Sequence, residues 1–332
     1  MSGASGRNKQ LLRYAAIFAL IVFLASAAML FLNLWEQNQG VFQSDGSEGL
    51  LPTISYNDQE YVLRQDVETL LVMGLDKFDD SIQNDAYTND QQADFILLLV
   101  IDHTNTTCTA IHINRDTMAD MSILGVAGEQ VGIINKQLAL AHTYGNGKEV
   151  SCRNTAEAVS NLLFNVKVDH YVSVTMDAVP IYNDLVGGVE LTVMDDFSGV
   201  DDTLIQGETV TLTGKQALTY IRSRYGMDDS TNNARMKRQQ QYMEALYYQS
   251  LECVEQSDEF IVDASLELAD YMVTSCSAER LQTLFEKISA YDFTEIRTPE
   301  GDLIKGEKYM EFYPDVDALK QMVVELFYEP KK

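Results

Sequence analysis

The sequence predicts an α/β fold: a central mixed β-sheet sandwiched by helices, preceded by one N-terminal transmembrane helix. Three observations predict it. Apolar runs of strand length stand at 70–75 and 95–101, as strands buried on both faces require, and 168–176 reads as a further strand. Segments with helical start signals and helical apolar spacing, such as 154–163 and 213–221, alternate with them, as helices layered on a sheet require. Finally, an apolar run from Tyr14 to Trp35, interrupted only by Ser26 and Asn33, follows Arg7, Lys9 and Arg13. About 20 apolar residues suffice to cross the hydrocarbon core as a helix.

The positive flank places residues 1–13 in the cytoplasm, 14–35 in the membrane with Trp35 at the outer interface, and the rest outside. Ala25-Ser26-Ala27 loosely fits a signal-peptide cleavage site. The apolar run continues through Met29-Leu30-Phe31-Leu32 beyond that site, which favours an anchor. Residues 36–66 read as a juxtamembrane linker, 67–250 as the functional domain, and 251–332 as a C-terminal part packed on the same domain.

Within this frame each element has its signal. Residues 61–68 suggest a short helix leading into the first strand, 70–75, which ends at Asp76. The acidic, amide-rich stretch 78–92 lacks periodicity and reads as a loop. A second strand is expected over 95–101 and a third, rich in Thr and Ile, over 106–114, ending at Arg115-Asp116. Asn154-Thr-Ala-Glu157 resembles a capping box at a helix start. A strand over 168–176 precedes a helix over 179–186 that Gly187-Gly188 stops. Alternation over 189–194 predicts another strand. Thr213-Gly-Lys-Gln216 is a second capping box, and 232–251 a long helix. Residues 253–330 show helical periodicity with some extended pieces, including 260–268 and 281–288.

Composition excludes several functions. Hydrophobic residues at 46% exclude a largely disordered chain. A formal net charge of −26 repels nucleic acid. The four cysteines, Cys108, Cys152, Cys253 and Cys276, show no zinc-ligand spacing. An outward location makes at least one disulfide expected, with Cys253–Cys276 the plausible pair and four reduced buried thiols the alternative.

Against the acidic background, Arg222, Arg224, Arg235, Lys237 and Arg238 crowd into one short segment. A guanidinium is a planar fork suited to phosphate oxygens. Arg235, Arg238 and Gln239 fall at i, i+3 and i+4 on one face of a helix, near its N-terminus, where backbone N–H groups also favour an anion. A solvated basic face paired with Asp228 and Asp229 is the competing reading. Asp76 and Asp94 sit beside two buried strands. If those strands are antiparallel neighbours, their ends meet, and two carboxylates near a phosphate suit Mg²⁺; the competing reading is two turn or cap residues. Arg115-Asp116 follows a strand at the edge where ligands of open α/β sheets gather, and equally fits a buried pair bracing the fold. Lys136 is a weaker candidate of the same type. His103, His112, His142 and His170 lack ligand spacing and read as structural. No G-x-S-x-G elbow or Walker A run is present. Any phosphate chemistry would proceed by positioning and charge neutralisation.

In order along the chain, Val72-Met-Gly-Leu-Asp76, Ala93-Asp94-Phe-Ile-Leu, Ile113-Asn-Arg-Asp-Thr117, Tyr182 to Val189 ending in Leu-Val-Gly-Gly-Val, Leu212-Thr-Gly-Lys-Gln-Ala-Leu218, Tyr220-Ile-Arg-Ser-Arg224 and Arg235-Met-Lys-Arg-Gln-Gln240 together resemble the LytR-CpsA-Psr family of extracytoplasmic cell-wall transferases. The resemblance implies binding of a polyprenyl-pyrophosphate-linked glycopolymer, teichoic-acid-like or capsular. It implies transfer of the phosphoglycosyl unit to peptidoglycan, typically to the 6-hydroxyl of N-acetylmuramic acid. By the matching motifs, Arg115, Arg222, Arg224, Arg235 and Gln239 would hold the pyrophosphate, with Arg238 in support. Asp76 and Asp94 would hold Mg²⁺ (or Mn²⁺), Asp94 or Asp116 would deprotonate the acceptor, and an apolar groove between sheet and helices would hold the lipid. A lipid pyrophosphatase and a non-catalytic wall-anchoring or polyprenyl-phosphate-binding module are the alternatives. The sequence departs from the family at four places. Gln91, Gln92 and Ala93 stand where an arginine commonly precedes Asp94. Asn114 stands for a proline, Asn232 for an aspartate and Ala234 for a glycine.

Overall fold

In a computed structural model of the chain, residues 51–75, 91–125, 128–223, 232–257, 260, 264 and 267–331 are described. The predicted membrane segment 14–35 lies outside them. Among the described residues no helix is long and apolar enough to cross a membrane.

The first elements correct the sequence reading. β1 (Thr53–Tyr56) and β2 (Gln59–Leu63) form an antiparallel hairpin where a linker and a short helix were expected. Its turn residues Asn57 and Asp58 take φ of 50° and 60°, the left-handed pair that a tight two-residue hairpin needs and that Asn and Asp tolerate. β3 (Val67–Leu75), β4 (Ala93–Asp102) and β5 (Thr107–His112) then follow as the apolar runs predict. A second hairpin, β6 (Met118–Leu124) with β7 (Gln130–Gln137), leads through a 3-10 turn into α1 (Glu149–Leu162). This helix starts before the predicted capping box. Asn154 lies inside it and donates from its amide to the carbonyls of Ser122 (3.2 Å) and Ala141 (2.8 Å).

β8 (His170–Thr175), α2 (Ala178–Leu185), β9 (Val189–Thr192), β10 (Thr209–Leu212) and α3 (Gly214–Arg222) come next. α2 ends at Gly187 and Gly188, whose φ of 80° and 94° stop the helix as predicted. α3 begins with the full Thr213/Gln216 capping box. α4 (Asn232–Gln256) is the longest helix described. The C-terminal part comprises β11 (Met272–Thr274), α5 (Ala278–Ala290), β12 (Asp292–Arg297), β13 (Gly301–Lys305), β14 (Met310–Pro314), α6 (Val316–Phe327) and β15 (Tyr328–Pro330). Residues 281–288, expected as an extended piece, are helical in α5. Ser277 caps that helix by accepting from the Arg280 amide, and Leu281, Leu284 and Ile288 fall on one buried stripe.

The central sheet has the order β11-β8-β3-β4-β5-β12. β3 and β5 run antiparallel to β4, β8 is parallel to β3, and β12 is parallel to β5. Alternate side chains feed two apolar layers. Leu70, Val72, Leu97 and Leu99 pack against α2, α3, α4 and α5, while Leu71, Met73, Ile96 and Leu98 pack against α1 and α6. The C-terminal part therefore supplies both edge strands of the sheet, β11 and β12, and a helix to each face.

All four cysteines are free, so the expected Cys253–Cys276 bridge is absent. Cys253 lies near the end of α4 with its thiol 3.6 Å from the Val186 carbonyl, whereas Cys276 precedes the Ser277 cap of α5.

Candidate functional site

The site forms where the central strands meet at one edge of the sheet. β3 and β4 are antiparallel neighbours with Leu75 opposite Ala93, which brings Asp94 to that edge. β5 pairs with β4 so that Leu97 faces His112. The chain leaving β5 therefore passes Asp94 as the buried turn Asn114-Arg115-Asp116-Thr117, closed by Thr117 N donating to the Asn114 carbonyl at 3.0 Å. The Arg115 guanidinium donates to the Asp94 carboxylate and to the Gln92 side-chain carbonyl. Its Nε lies 3.7 Å from Asp116 Oδ1.

The first turn of α4 brings a second guanidinium to the same carboxylate. Arg235 Nη1 lies 3.6 Å from Asp94 Oδ2, and Nη2 donates to the Asp94 carbonyl at 3.2 Å. Arg235 is 2% exposed and Asp94 7%, so Asp94 is a buried anion between two arginines. The neighbouring His112 ring is pushed down to about 3, by burial first and the Arg235 charge second. It is therefore neutral at physiological pH, with Nδ1 3.2 Å from the Gln240 amide.

The other predicted residues separate from this group. Arg238 turns toward α3. Its Nε donates to the Tyr220 carbonyl at 2.9 Å, Nη2 donates to the Ser223 carbonyl, and Nη1 pairs with Asp195 at 2.5 Å. The guanidinium also lies over the Phe197 ring at 5.5 Å. Arg238 thus clamps the C-terminal carbonyls of α3 to α4, as cations favour a helix C-terminus. Gln239 donates to the Ile221 carbonyl at 3.3 Å, and its own Oε1 is buried without a hydrogen-bond partner. Arg222 ends α3 with its side chain exposed. Lys136 is exposed on β7. Asp76 and Arg224 lie outside the described residues.

Three residues that sequence reasoning did not assign to the site belong to its frame. Gln92 accepts from Arg115. Gln137 donates to Asp116 Oδ1 at 3.0 Å and to the Met310 carbonyl at 2.8 Å, tying the turn to β14. Asn232 accepts from Arg235 at 2.5 Å and donates to Asn114 at 2.5 Å. Asn114 and Asn232, two of the departures from the family pattern, therefore touch one another. Gln92 and Asn232 each carried a sequence signal, as departures from the family pattern, and Gln137 carried none.

Below this edge a cavity opens between the sheet and the helices α2, α3 and α4. Its walls include Val72, Gly74, Phe95, Val174, Tyr242 and Leu246 and are almost wholly apolar. Phe95 follows Asp94, and Gln239, one turn beyond Arg235, also lines the space. A Cβ on Gly74 would stand 2.9 Å from Phe95 Cβ, so only glycine lets the two strands approach there.

The donor set for a metal is spare. Among the described residues no group of three or more His, Cys, Asp or Glu side chains converges. Mg²⁺, however, is commonly held by one or two carboxylates with water and phosphate oxygens, and Asp94 is a hard oxygen donor of that kind.

A family model described as LytR_cpsA_psr family matches residues 38–322. The chain belongs to the LytR-CpsA-Psr family. One relative within it, the polyisoprenyl-teichoic acid–peptidoglycan teichoic acid transferase TagU of Enterococcus faecalis, is 26% identical over 82% of this chain and 81% of its own length. TagU of Halalkalibacterium halodurans is 28% identical over 56% of this chain and spans 54% of its own length in the match. Two solved structures share the fold. TagT bound to LIIa-WTA has a TM-score of 0.57 at 20% identity, covering 79% of this chain and 90% of that one. Protein gbs0355 of Streptococcus agalactiae reaches 0.61 at 18% identity, covering 78% and 87%.

Proposed function

We propose that this LytR-CpsA-Psr protein is an extracytoplasmic, membrane-anchored phosphotransferase. It attaches a polyprenyl-pyrophosphate-linked glycopolymer, teichoic-acid-like or capsular, to peptidoglycan. One observation carries the reading: two buried guanidiniums, Arg115 and Arg235, converge on Asp94 beside an apolar cavity. Desolvated cations at the mouth of an apolar groove suit a ligand with an anionic head and a hydrocarbon tail. The names of the relatives point the same way.

In this reading Arg115 and Arg235 bind the pyrophosphate, joined by Arg222, Arg224 and Gln239, while Arg238 holds α3 and α4 in register. Gln239 would then have to turn its amide away from Ile221 to donate. The acceptor hydroxyl oxygen attacks the phosphorus of the sugar-linked phosphate. The bond from that phosphorus to the bridging oxygen breaks, and polyprenyl phosphate leaves with the electron pair. The hydroxyl proton passes to a carboxylate. Asp116, whose Oδ1 lies 3.7 Å from Arg115 Nε and accepts from the Gln137 amide at 3.0 Å, is the carboxylate assigned this role. Mg²⁺ (or Mn²⁺), held by Asp94 with Asp76, would supply further neutralisation of pyrophosphate charge.

The test is incubation of the purified protein with a polyprenyl-pyrophosphate-linked glycan and peptidoglycan. Polymer covalently joined to peptidoglycan is the expected product. Release of free polymer phosphate alone would instead mark a lipid pyrophosphatase. Binding without turnover would mark a wall-anchoring module.

A further inference from the structure

We infer that Asn114 and Asn232 form an amide latch that positions the Arg115-Asp116 turn against Arg235; its role in transfer rests on the reading above. The Asn114 side-chain oxygen accepts from Asn232 Nδ2 at 2.5 Å and from the Asp116 backbone N–H at 2.9 Å. The Asn114 amide nitrogen donates to Asn233 Oδ1 at 3.0 Å. On the other side, Asn232 Oδ1 accepts from Arg235 Nη2 at 2.5 Å. Asn114 is 1% exposed and Asn232 3%.

Each amide thus has a donor facing its oxygen and an acceptor facing its nitrogen, so neither can flip without burying unmatched groups. The chain of contacts Asp116, Asn114, Asn232, Arg235 spans two elements 118 positions apart in sequence. It fixes the guanidinium of α4 relative to the turn after β5. Neither asparagine is assigned contact with substrate, so both are positioning residues. An aspartate at 232 would place a carboxylate oxygen against Asn114 Oδ1, where a donor now stands. An aspartate at 114 would keep both acceptor roles but set a second oxygen against Asn233 Oδ1, where the Asn114 amide now donates.

The experiment compares Asn232→Asp, Asn114→Asp, and the cycle of Asn114→Ala, Asn232→Ala and their double variant in the full chain. Two readouts are taken: hydrogen exchange of the backbone amides in 114–117, and steady-state transfer. N232D should accelerate exchange in that segment at least tenfold. It should lower kcat about tenfold, equivalent to about 1.4 kcal/mol of transition-state stabilisation, with a smaller change in KM. N114D should also accelerate exchange in 114–117, but less than N232D, because the exposed Asn233 can turn its amide to donate to the new carboxylate. The double alanine variant should lose less than the sum of the two single ones, because each single variant already removes the shared Asn114–Asn232 contact. Wild-type exchange in N232D, or additive alanine effects, would overturn the latch. If N232D does not fold, the alanine cycle decides. A wild-type protein without transfer activity would sink the functional reading alone, and the exchange data would still decide the latch.

Discussion

Asp94 and Arg115 form a buried ion pair that joins the start of β4 to the turn after β5, 21 positions apart. Arg235 approaches the same carboxylate from α4 at 3.6 Å. Removing one partner of a buried pair strands the other charge, which costs about 3–5 kcal/mol. Here Asp94→Ala would strand two guanidiniums. The variant should lose about 3 kcal/mol in denaturant unfolding and transfer at least 100-fold more slowly. Because a bound anion would replace the missing carboxylate, metal-free inorganic pyrophosphate should raise its melting temperature more than it raises that of wild type. An equal or smaller shift would mean that the two arginines do not face the ligand.

Arg222→Ala separates binding from folding. The side chain is exposed at the end of α3, and exposed substitutions usually change stability by no more than about 0.5 kcal/mol. Transfer should fall by at least about 30-fold with an unchanged melting temperature. Transfer at the wild-type rate would remove Arg222 from the pyrophosphate site.

The cavity makes a separate prediction. Met243 is part-buried on α4 and lines the space beside Tyr242 and Leu246. Met243→Trp should fill it, raising KM about tenfold for a long-chain polyprenyl donor and much less for a short-chain one, since the apolar contribution scales with buried area. Equal losses for both donors would place the lipid elsewhere.

β3 and β4 were legible because their apolar runs are continuous, as strands facing cores on both sides require, and β8 by its β-branched valines and threonine. The hairpin of β6 and β7 was not. Its strands mix exposed Val131 and Ile133 with Gln130, Asn135 and Lys136, and take their shape from pairing with each other. The α1 start was misread because Asn154 looks like a cap but spends its amide on two distant carbonyls. At the site, charge and spacing exposed the arginines but not their division of labour. Arg235 and Arg238 lie one turn apart, yet one meets Asp94 and the other the carbonyls of α3. Asn114 and Asn232 looked like unrelated departures, since nothing local in a sequence joins positions 118 apart.

At the opposite end of β3, Glu68 ties the C-terminal part to the sheet. Its carboxylate meets His170 at 2.9 Å and His103 at 3.0 Å and pairs with Arg280 of α5. Burial opposes the Glu68 charge, yet these three partners hold it down at about 2. Burial likewise opposes a charged His170 ring, but hydrogen bonds with Cys276 and Glu68 raise it to about 9. Arg280 Nε lies 3.4 Å from the same ring nitrogen and repels the charged form; the closer carboxylate outweighs it. The raised His170 value means its contribution is complete below its ordinary 6.5 and is lost as pH rises through about 9. The depressed Glu68 value means its contribution is complete above 4.5 and is lost as pH falls toward about 2. Both act fully between about pH 4.5 and 6.5. Denaturant unfolding of wild type should therefore show a decline on the order of 2 kcal/mol from pH 6.5 to beyond 9, the full shift being discounted for partial exposure of the ring. His170→Gln should flatten that decline, so that the two stability curves differ most near pH 6 and converge above pH 9. Parallel curves across the whole range would show that His170 is not charged against Glu68.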